Sequence, residues 1–136
     1  MIRVGIIGCG GQGRIHANAY ARIEGVQIVG CCDVLPERAQ ELAQPFGATA
    51  FTDHREMLAQ TRPNLVSVCT LEGHHAQHTI DSLRAGAHVL YENWTVLQSQ
   101  PSARMNSHTA NSASSSVTPY SSNTVWRWLK PHANSW

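Results

Sequence analysis

Short apolar runs alternate with mixed polar segments over the first 92 residues of the chain. Apolar runs of four to eight residues are typical of buried strands, and longer segments with apolar residues at helical spacing are typical of helices. The runs predict five strands, at residues 3–8, 26–33, 48–51, 65–70 and 87–91. Four helices are predicted between them, at residues 15–23, from 36 to about 44, from a cap at Asp53 through 59, and at 75–85.

This alternation of strand and helix predicts the α/β class. Successive strands joined by helices form parallel βαβ units, whose connections are right-handed. Five such strands in the order 3-2-1-4-5 make a Rossmann-type doubly wound parallel sheet with helices on both faces. Residues 1–92 are therefore predicted to be one Rossmann-type domain.

The composition of the chain changes near residue 92. All nine acidic residues lie at or before Glu92 and all ten glycines at or before Gly86, whereas all four tryptophans come later. Of the 44 residues at 93–136, 19 are Ser, Thr or Asn, and no period of 2 or 3.6 is sustained. Such a composition cannot bury enough apolar surface to form a core. Residues 93–136 are predicted to be a low-complexity, disordered tail.

Net charge, apolar run lengths and cysteine spacing indicate which partners and which cellular location to expect. A formal net charge of +1 gives no basic field for nucleic acid. The sequence contains no run of 18 apolar residues, so no membrane span is predicted. The first apolar run is too short for a signal peptide. The four cysteines have no metal-binding or redox spacing and lie in apolar runs, which favours free thiols and a cytoplasmic location. They are Cys9, Cys31, Cys32 and Cys69.

A glycine-rich loop between the first strand and the first helix carries the candidate chemistry. Gly8-Cys9-Gly10-Gly11-Gln12-Gly13 fits the pattern G-x-G-x-x-G. In a dinucleotide site Gly8 allows the tight turn, Gly10 lets the backbone approach the pyrophosphate, and Gly13 lets the helix pack on the sheet. The free amides and the dipole of the helix start favour phosphate there. A glycine turn that serves the fold alone is the competing interpretation.

Asp33 ends the second strand, 20 residues after Gly13, where the fingerprint places an acid. Its carboxylate can accept hydrogen bonds from the adenosine ribose and would repel the 2′-phosphate of NADP. Arg38 is expected on the next helix, so NAD is predicted and NADP is disfavoured. The alternative for Asp33 is a solvated acid at a strand end. An S-adenosylmethionine methyltransferase is a weaker alternative for the loop, because the first strand carries no acid.

Histidines cluster around the start of the fourth helix. His74 and His78 have the i, i+4 spacing of two ligands on one helix face, but no set of partners completes a metal site. Surface and capping roles are expected for them, and no metal is predicted. His16 is expected to pack or to face solvent rather than to act in catalysis.

Taken together, residues 2–92 resemble the nucleotide-binding half of the Gfo/Idh/MocA oxidoreductases. The matching stretches are residues 4–13 with His16, residues 29–33, residues 66–70 with His75, and residues 85–92. The resemblance implies an NAD(P)-dependent oxidoreductase that acts on a sugar, polyol or related hydroxyl compound. It also implies that Thr70, His75 and Glu92 join Gly8, Gly10, Gly11, Gln12, Gly13 and Asp33 in the cofactor site.

The chain departs from the family pattern at and after this point. In the family the fifth strand ends in Glu-Lys-Pro, and the lysine is catalytic, whereas Glu92 is followed here by Asn93 and Trp94. Leu71 replaces a usual proline, and residues 93–136 do not resemble the family's second domain, which builds the substrate pocket and often the oligomer. A reading-frame change near codon 93 is the favoured explanation, and a genuine short protein is the other. We therefore expect no catalytic residue, no family-type oligomer, and cofactor binding without catalysis; a non-enzymatic NAD-binding module or an inert fragment is the alternative.

Overall fold

The computed structural model describes residues 1–70, 72–91 and 95–97. Its six strands form one sheet in the order β3-β2-β1-β4-β5-β6, and the first five are parallel. The strands are β1 (Ile2–Ile7), β2 (Val26–Cys32), β3 (Thr49–Phe51), β4 (Leu65–Val68), β5 (His88–Tyr91) and β6 (Thr95–Leu97). The predicted fold class and strand order 3-2-1-4-5 are confirmed.

Four helices connect the parallel strands. They are α1 (Gly11–Tyr20), α2 (Pro36–Ala43), α3 (His54–Thr61) and α4 (Glu72–Arg84), and a 3₁₀ turn (Gln44–Phe46) follows α2. The α2 helix begins with Pro36 at its first position, where the missing amide costs nothing. The Asp53 carboxylate caps α3 as predicted, by accepting a hydrogen bond from the Arg55 amide.

The helices lie in two layers, and each layer covers one face of the sheet. Helices α1 and α2 pack on one core, built around Val4, Ile6 and Tyr20. Helices α3 and α4 cover the opposite face, where Met57 and Val66 are fully buried. Because successive side chains of a strand point to opposite faces, strands covered on both sides are apolar at nearly every position. This explains why the strands were visible in the sequence as continuous apolar runs.

Two local predictions were wrong. The first helix begins at Gly11 and ends at Tyr20, not at residues 15–23. Its buried face carries Gly13, His16, Ala17 and Tyr20, whereas Ile15 is 53% exposed. Because the buried face consists of small and polar residues, an apolar period could not reveal it.

The second difference concerns β6. Thr95–Leu97 pair antiparallel with β5, although the sequence placed them in the tail without a strand. Three residues are too few to show an alternating pattern against a polar background. The other residues of the predicted tail, and the boundary at Glu92 itself, lie outside the described residues.

Candidate cofactor site

The carboxyl ends of β1, β2 and β4 meet where the glycine loop leaves the sheet. The amide of Gly8 donates to the Cys32 carbonyl at 2.8 Å, and the amide of Cys69 donates to the Ile7 carbonyl at 2.7 Å. These bonds continue the β1–β2 and β1–β4 ladders by one step beyond the strands. In open parallel sheets this edge, on both sides of the first strand, is where ligands bind.

Gly8 and Gly13 are glycines that the protein itself requires. Gly8 has φ +94°, and a Cβ there would lie 2.6 Å from the Cys69 carbonyl carbon and 2.8 Å from the Thr70 amide nitrogen. A Cβ on Gly13 would collide with the Gly8 carbonyl oxygen. The backbone of the loop, of α1 and of the β4 end therefore touch directly, and no side chain fits between them.

Gly10 and Gly11 have no such requirement. A Cβ added at either position has no heavy atom within 4 Å, and neither residue has a positive φ. Gly10 is the N-cap of α1 and supplies no capping side chain, and the first turn holds no acid. The first amides of α1 thus have no side-chain acceptor and border open space, an arrangement that suits an anionic ligand.

Asp33 ties the loop to the turn after β2. Its Oδ2 accepts a hydrogen bond from the Cys9 amide at 2.8 Å, and its Oδ1 accepts one from the Leu35 amide at 2.9 Å. A carboxylate has about four acceptor positions, so two remain for further donors such as ribose hydroxyls. The sequence indicated an acid for ligand recognition here, and the structure adds this second, structural task.

A cavity of about 480 Å³ opens above these elements. Gly8, Gly10, Asp33 and Thr70 line it, which brings together residues from the ends of β1, β2 and β4. Further lining residues follow the ends of β2 and β3 or lie on α4; they include Val34, Arg38, Thr52, His54, His74 and His78. Val34 is 85% exposed, so an apolar side chain stands open to a ligand beside Asp33.

One wall of this cavity is a pair of histidines, one on α3 and one on α4. The rings of His54 and His78 meet edge to face with centroids 4.5 Å apart. Thr70 Oγ1 lies 3.1 Å from His78 Nδ1, and His54 Nε2 lies 2.7 Å from Asp81 Oδ2. Burial, aided by the nearby His54, lowers the pKa of His78 to about 4, so this imidazole is neutral at neutral pH.

Asp81 anchors the pair from behind. Its burial opposes the charged form, but hydrogen bonds from His54 and Arg55 outweigh this and hold the pKa of the carboxyl below its ordinary value. Gln77 donates to its other oxygen at 2.9 Å. The wall therefore has a fixed geometry rather than two loosely solvated rings.

The match of the chain to known proteins agrees with this geometry. The model of the Gfo/Idh/MocA oxidoreductase family, described as its NAD-binding Rossmann fold, matches residues 2–118. The chain belongs to the Gfo/Idh/MocA family. The match continues beyond Glu92, where the resemblance in the sequence appeared to end.

Individual relatives and solved structures give the same assignment. D-glucoside 3-dehydrogenase of Escherichia coli K12 is 38% identical over 93 residues, which cover 67% of this chain and 26% of that protein. The structure of GenD2 from gentamicin A biosynthesis in complex with NAD superposes with a TM-score of 0.65 at 28% identity, covering 68% of this chain and 26% of GenD2.

A second solved structure, the WlbA dehydrogenase of Bordetella pertussis with NADH and UDP-GlcNAcA, gives a TM-score of 0.63 at 33% identity, covering 66% and 28% of the two chains. This chain thus spans about a quarter of the length of the relatives it matches. It is an NAD-binding Rossmann domain of its family.

The predicted site residues are distributed unevenly around the cavity. Gly11, Gln12 and Gly13 form the first turn of α1 and do not line it. His75 contacts the Thr70 carbonyl through Nε2 and does not line it either. Glu92 lies outside the described residues. The specific contacts of all these residues with the cofactor stay predictions.

Several lining residues were missed in the sequence: Val34, Thr52, Asp53 and His54, together with cavity positions for His74 and His78, which were expected at the surface. A usable signal existed, because Val34, Thr52 and Asp53 directly follow the ends of β2 and β3, and residues after parallel strands face the ligand edge.

Other candidate groups play structural parts. His16 is buried beside Tyr20, and its Nδ1 lies 3.1 Å from Ser67 Oγ. Burial lowers the pKa of His16 to about 4, so the ring is neutral in the fold. All four cysteines are buried free thiols, as predicted, and burial raises the pKa of Cys32 to about 12.

The described residues contain no candidate metal site and no candidate membrane span. No group of three or more His, Cys, Asp or Glu residues in that part of the chain is placed to hold a metal ion. Of the helices described, none has the length and apolarity needed to cross a membrane.

Proposed function

We propose that this chain is the cofactor-binding part of an NAD-dependent dehydrogenase for a sugar, polyol or related hydroxyl compound. The open space over Gly10, at the uncapped start of α1, is the observation that supports it most directly. The residues present fit a dinucleotide: the amides at the start of α1 for the pyrophosphate, and the free acceptor positions of Asp33 for the adenosine ribose. NAD would supply the hydride acceptor.

The division of labour follows from the positions of these residues. The Gly8–Gly13 loop binds the phosphates of the cofactor, and the dipole of α1 stabilises their negative charge. Asp33 orients the adenosine half, and Thr70, His75 and Glu92 are proposed to border the remainder of the cofactor. The hydroxyl substrate class comes from relatives such as D-glucoside 3-dehydrogenase, and the domain boundary near Glu92 is part of the same proposal.

We also propose that these 136 residues alone bind NAD without transferring hydride. Oxidation of a hydroxyl needs a positioned group that accepts its proton. The family's lysine position is occupied by Asn93, and an amide side chain cannot accept that proton at neutral pH. A non-enzymatic NAD-binding module is the second candidate, and the same residue supports it. The family match argues against a methyltransferase.

The proposed setting is the cytoplasm, which the four buried free thiols support. No nucleic-acid partner, membrane surface or family-type oligomer is expected.

Calorimetric titration with NAD⁺ and NADH tests the binding half of the proposal. Saturable binding of both is expected; S-adenosylmethionine, titrated as a control, is expected not to bind. Failure of both dinucleotides to bind a chain that is folded by circular dichroism would overturn the assignment.

Absorbance of NADH then tests catalysis, with NAD⁺ and a panel of D-glucosides, glucose phosphates and inositols. No turnover is expected from the wild type. Turnover with any member of the panel would contradict the proposed lack of catalysis. If the wild type is inactive and an Asn93→Lys variant turns over substrate, then residue 93 is the sole reason for the lack of catalysis.

A further inference from the structure

A groove with an excess of positive charge runs between helices α3 and α4, apart from the cofactor cavity. Its volume is about 540 Å³. The residues that line it come from α3, the two residues after it, and α4: Arg55, Leu58, Ala59, Arg62, Pro63, Asp81, Arg84 and Ala85. Because positions three and four residues apart lie on one face of a helix, the groove follows both helices for about two turns. This shape can receive a further helix.

The positive charge of the groove is not balanced within the described residues. Asp81 is the sole acid among the described residues that line it, and it already accepts hydrogen bonds from Arg55 and two other side chains. No ion pair or side-chain hydrogen bond of Arg62 or Arg84 is found in the described part of the chain, and both residues are exposed. Two guanidinium groups, each with five N–H donors, are therefore available to a ligand.

Arg62 stands at this groove in a backbone conformation that favours a different residue. It caps the C-terminus of α3 with φ 45° and ψ 62°, and no other non-glycine residue in the described part of the chain has a positive φ. Glycine or asparagine is usual at such a helix end, because a Cβ is strained there. A cation elsewhere in the last turn of α3 would interact with the helix dipole without this strain. The strain therefore indicates a use for the Arg62 side chain itself.

We propose that the groove between α3 and α4 is a docking site for an acidic amphipathic helix of a partner protein. Carboxylates of the partner would pair with Arg62 and Arg84, and its apolar side chains would lie on Leu58, Ala59 and Ala85. The site is separate from the proposed cofactor site, because neither arginine lines the cofactor cavity.

Charge complementarity favours this occupant over two others. Residues 93–136 of the chain itself carry Arg104, Arg127 and Lys130 but no acid, so the groove would repel them. A small anion would use the arginines but leave the apolar part of the groove uncovered. An acidic amphipathic helix matches both the charge and the apolar surface.

Titration of a synthetic acidic helix into the full chain, followed by fluorescence anisotropy of the labelled peptide, tests the proposal. The probe is an amphipathic peptide of glutamate, leucine and alanine, about 18 residues long so that it is helical on its own. A peptide with lysine in place of each glutamate is the charge control. The proteins compared are the wild type, Arg62→Gly, Arg84→Gln and Arg22→Gln. Arg22 is the matched control, because it is an exposed arginine that does not line the groove.

The wild type should bind the acidic peptide saturably and should not bind the lysine peptide. Arg62→Gly and Arg84→Gln should each weaken binding about fivefold, the upper range for one exposed ion pair, whereas Arg22→Gln should change it less than about twofold. Arg62→Gly should melt at the same temperature as the wild type or higher, because glycine adopts this conformation without strain. Its weaker binding could then not be attributed to unfolding.

Three results would overturn the proposal. The first is no saturable binding of the acidic peptide by a chain that is folded by circular dichroism. The second is equal weakening in Arg22→Gln, which would show a general attraction to surface arginines. The third is a different occupant: inorganic phosphate that binds saturably at constant ionic strength and is lost in Arg62→Gly and Arg84→Gln, or a dimer in sedimentation that the same substitutions dissociate.

Discussion

The glycine loop contains two kinds of glycine. Gly8 and Gly13 are fixed by the protein, because a Cβ on either would meet backbone atoms of the same loop or of the β4 end. Gly10 and Gly11 face open space with ordinary backbone angles. The sequence motif treats its glycines alike, but only the pair without protein neighbours has room for a ligand. For Gly10, we propose that a bound cofactor is the reason to exclude a side chain.

The histidines divide in the same way. His16 is buried between α1 and β4 with Ser67 and Tyr20, and it serves the fold. His78 has a similarly lowered pKa but lines the cavity and contacts Thr70. A perturbed pKa alone therefore does not identify a functional residue here, and its position relative to the cavity does.

The largest effect should come from the glycines that serve the fold. Gly13→Ala places a methyl group against the Gly8 carbonyl, where both partners are backbone and cannot rotate away. We expect a loss of about 3 kcal/mol or more in the free energy of unfolding, or failure to fold. Urea denaturation followed by circular dichroism measures it.

Gly11→Ala, two positions earlier on the same turn, is the control for this substitution. It should be neutral or stabilise by up to about 1 kcal/mol, because alanine is the better helix former. A Gly13→Ala protein as stable as Gly11→Ala would refute the division of the loop into two kinds of glycine.

The next largest effect should be a loss of stability in acid that comes from buried His16. The pKa of His16 is about 4 in the fold against an ordinary 6.5, so between these values the unfolded chain binds more protons. Stability from this residue is complete above pH 6.5 and is lost as the pH falls toward 4. The loss amounts to about 3 kcal/mol. The free energy of unfolding, measured by denaturation at several pH values across this range, should depend less on pH in His16→Gln than in the wild type. The exposed control His74→Gln should keep the pH dependence of the wild type. Equal pH dependence in all three proteins would contradict the expectation.

Much of the fold was predictable because burial imprints the strands directly on the sequence. Strands β1, β2 and β4 are covered on both faces and read as apolar runs, and Asp53 and Pro36 mark helix starts through local chemistry. Helix α1 was misplaced because its buried face is Gly, His, Ala and Tyr. The glycine loop and Asp33 were predictable from their spacing.

The walls of the cavity were less accessible to the sequence. His54 and His78 lie on different helices, α3 and α4, which are separated in the chain by β4 and meet on the same face of the sheet. Arg38 was placed on the correct helix, but no local pattern shows that it lines the same cavity as Asp33. Contacts between residues distant in the chain depend on the packing angles of the helices, which periodicity does not encode.

A ligand-facing glycine should show the opposite profile to Gly13. Gly10→Val puts a side chain into the open space at the start of α1 while its extended backbone accommodates valine. Binding of NAD⁺ should fall at least about a hundredfold, equivalent to about 2.7 kcal/mol. Stability should fall by no more than about 1 kcal/mol, the cost of a poor N-cap. Calorimetry and thermal melting give the two readouts, and a Gly10→Val protein that binds NAD⁺ normally would remove the loop from phosphate binding.

Asp33 both supports the fold and faces the proposed ligand, so its substitution should give the smallest effect, divided between stability and binding. Asp33→Ser removes the bonds to the Cys9 and Leu35 amides as well as the ribose acceptor. We expect NAD⁺ affinity to fall about tenfold and unfolding free energy by about 1–2 kcal/mol.

Asp33→Asn keeps one oxygen for an amide, so it should recover part of the stability but less of the affinity. NADP⁺ binding should suffer less than NAD⁺ binding in both variants, because the negative charge that would repel the 2′-phosphate of NADP⁺ is lost. Calorimetric titration of both cofactors decides between the two roles: unchanged NAD⁺ affinity with lowered stability would leave Asp33 as a structural tie alone.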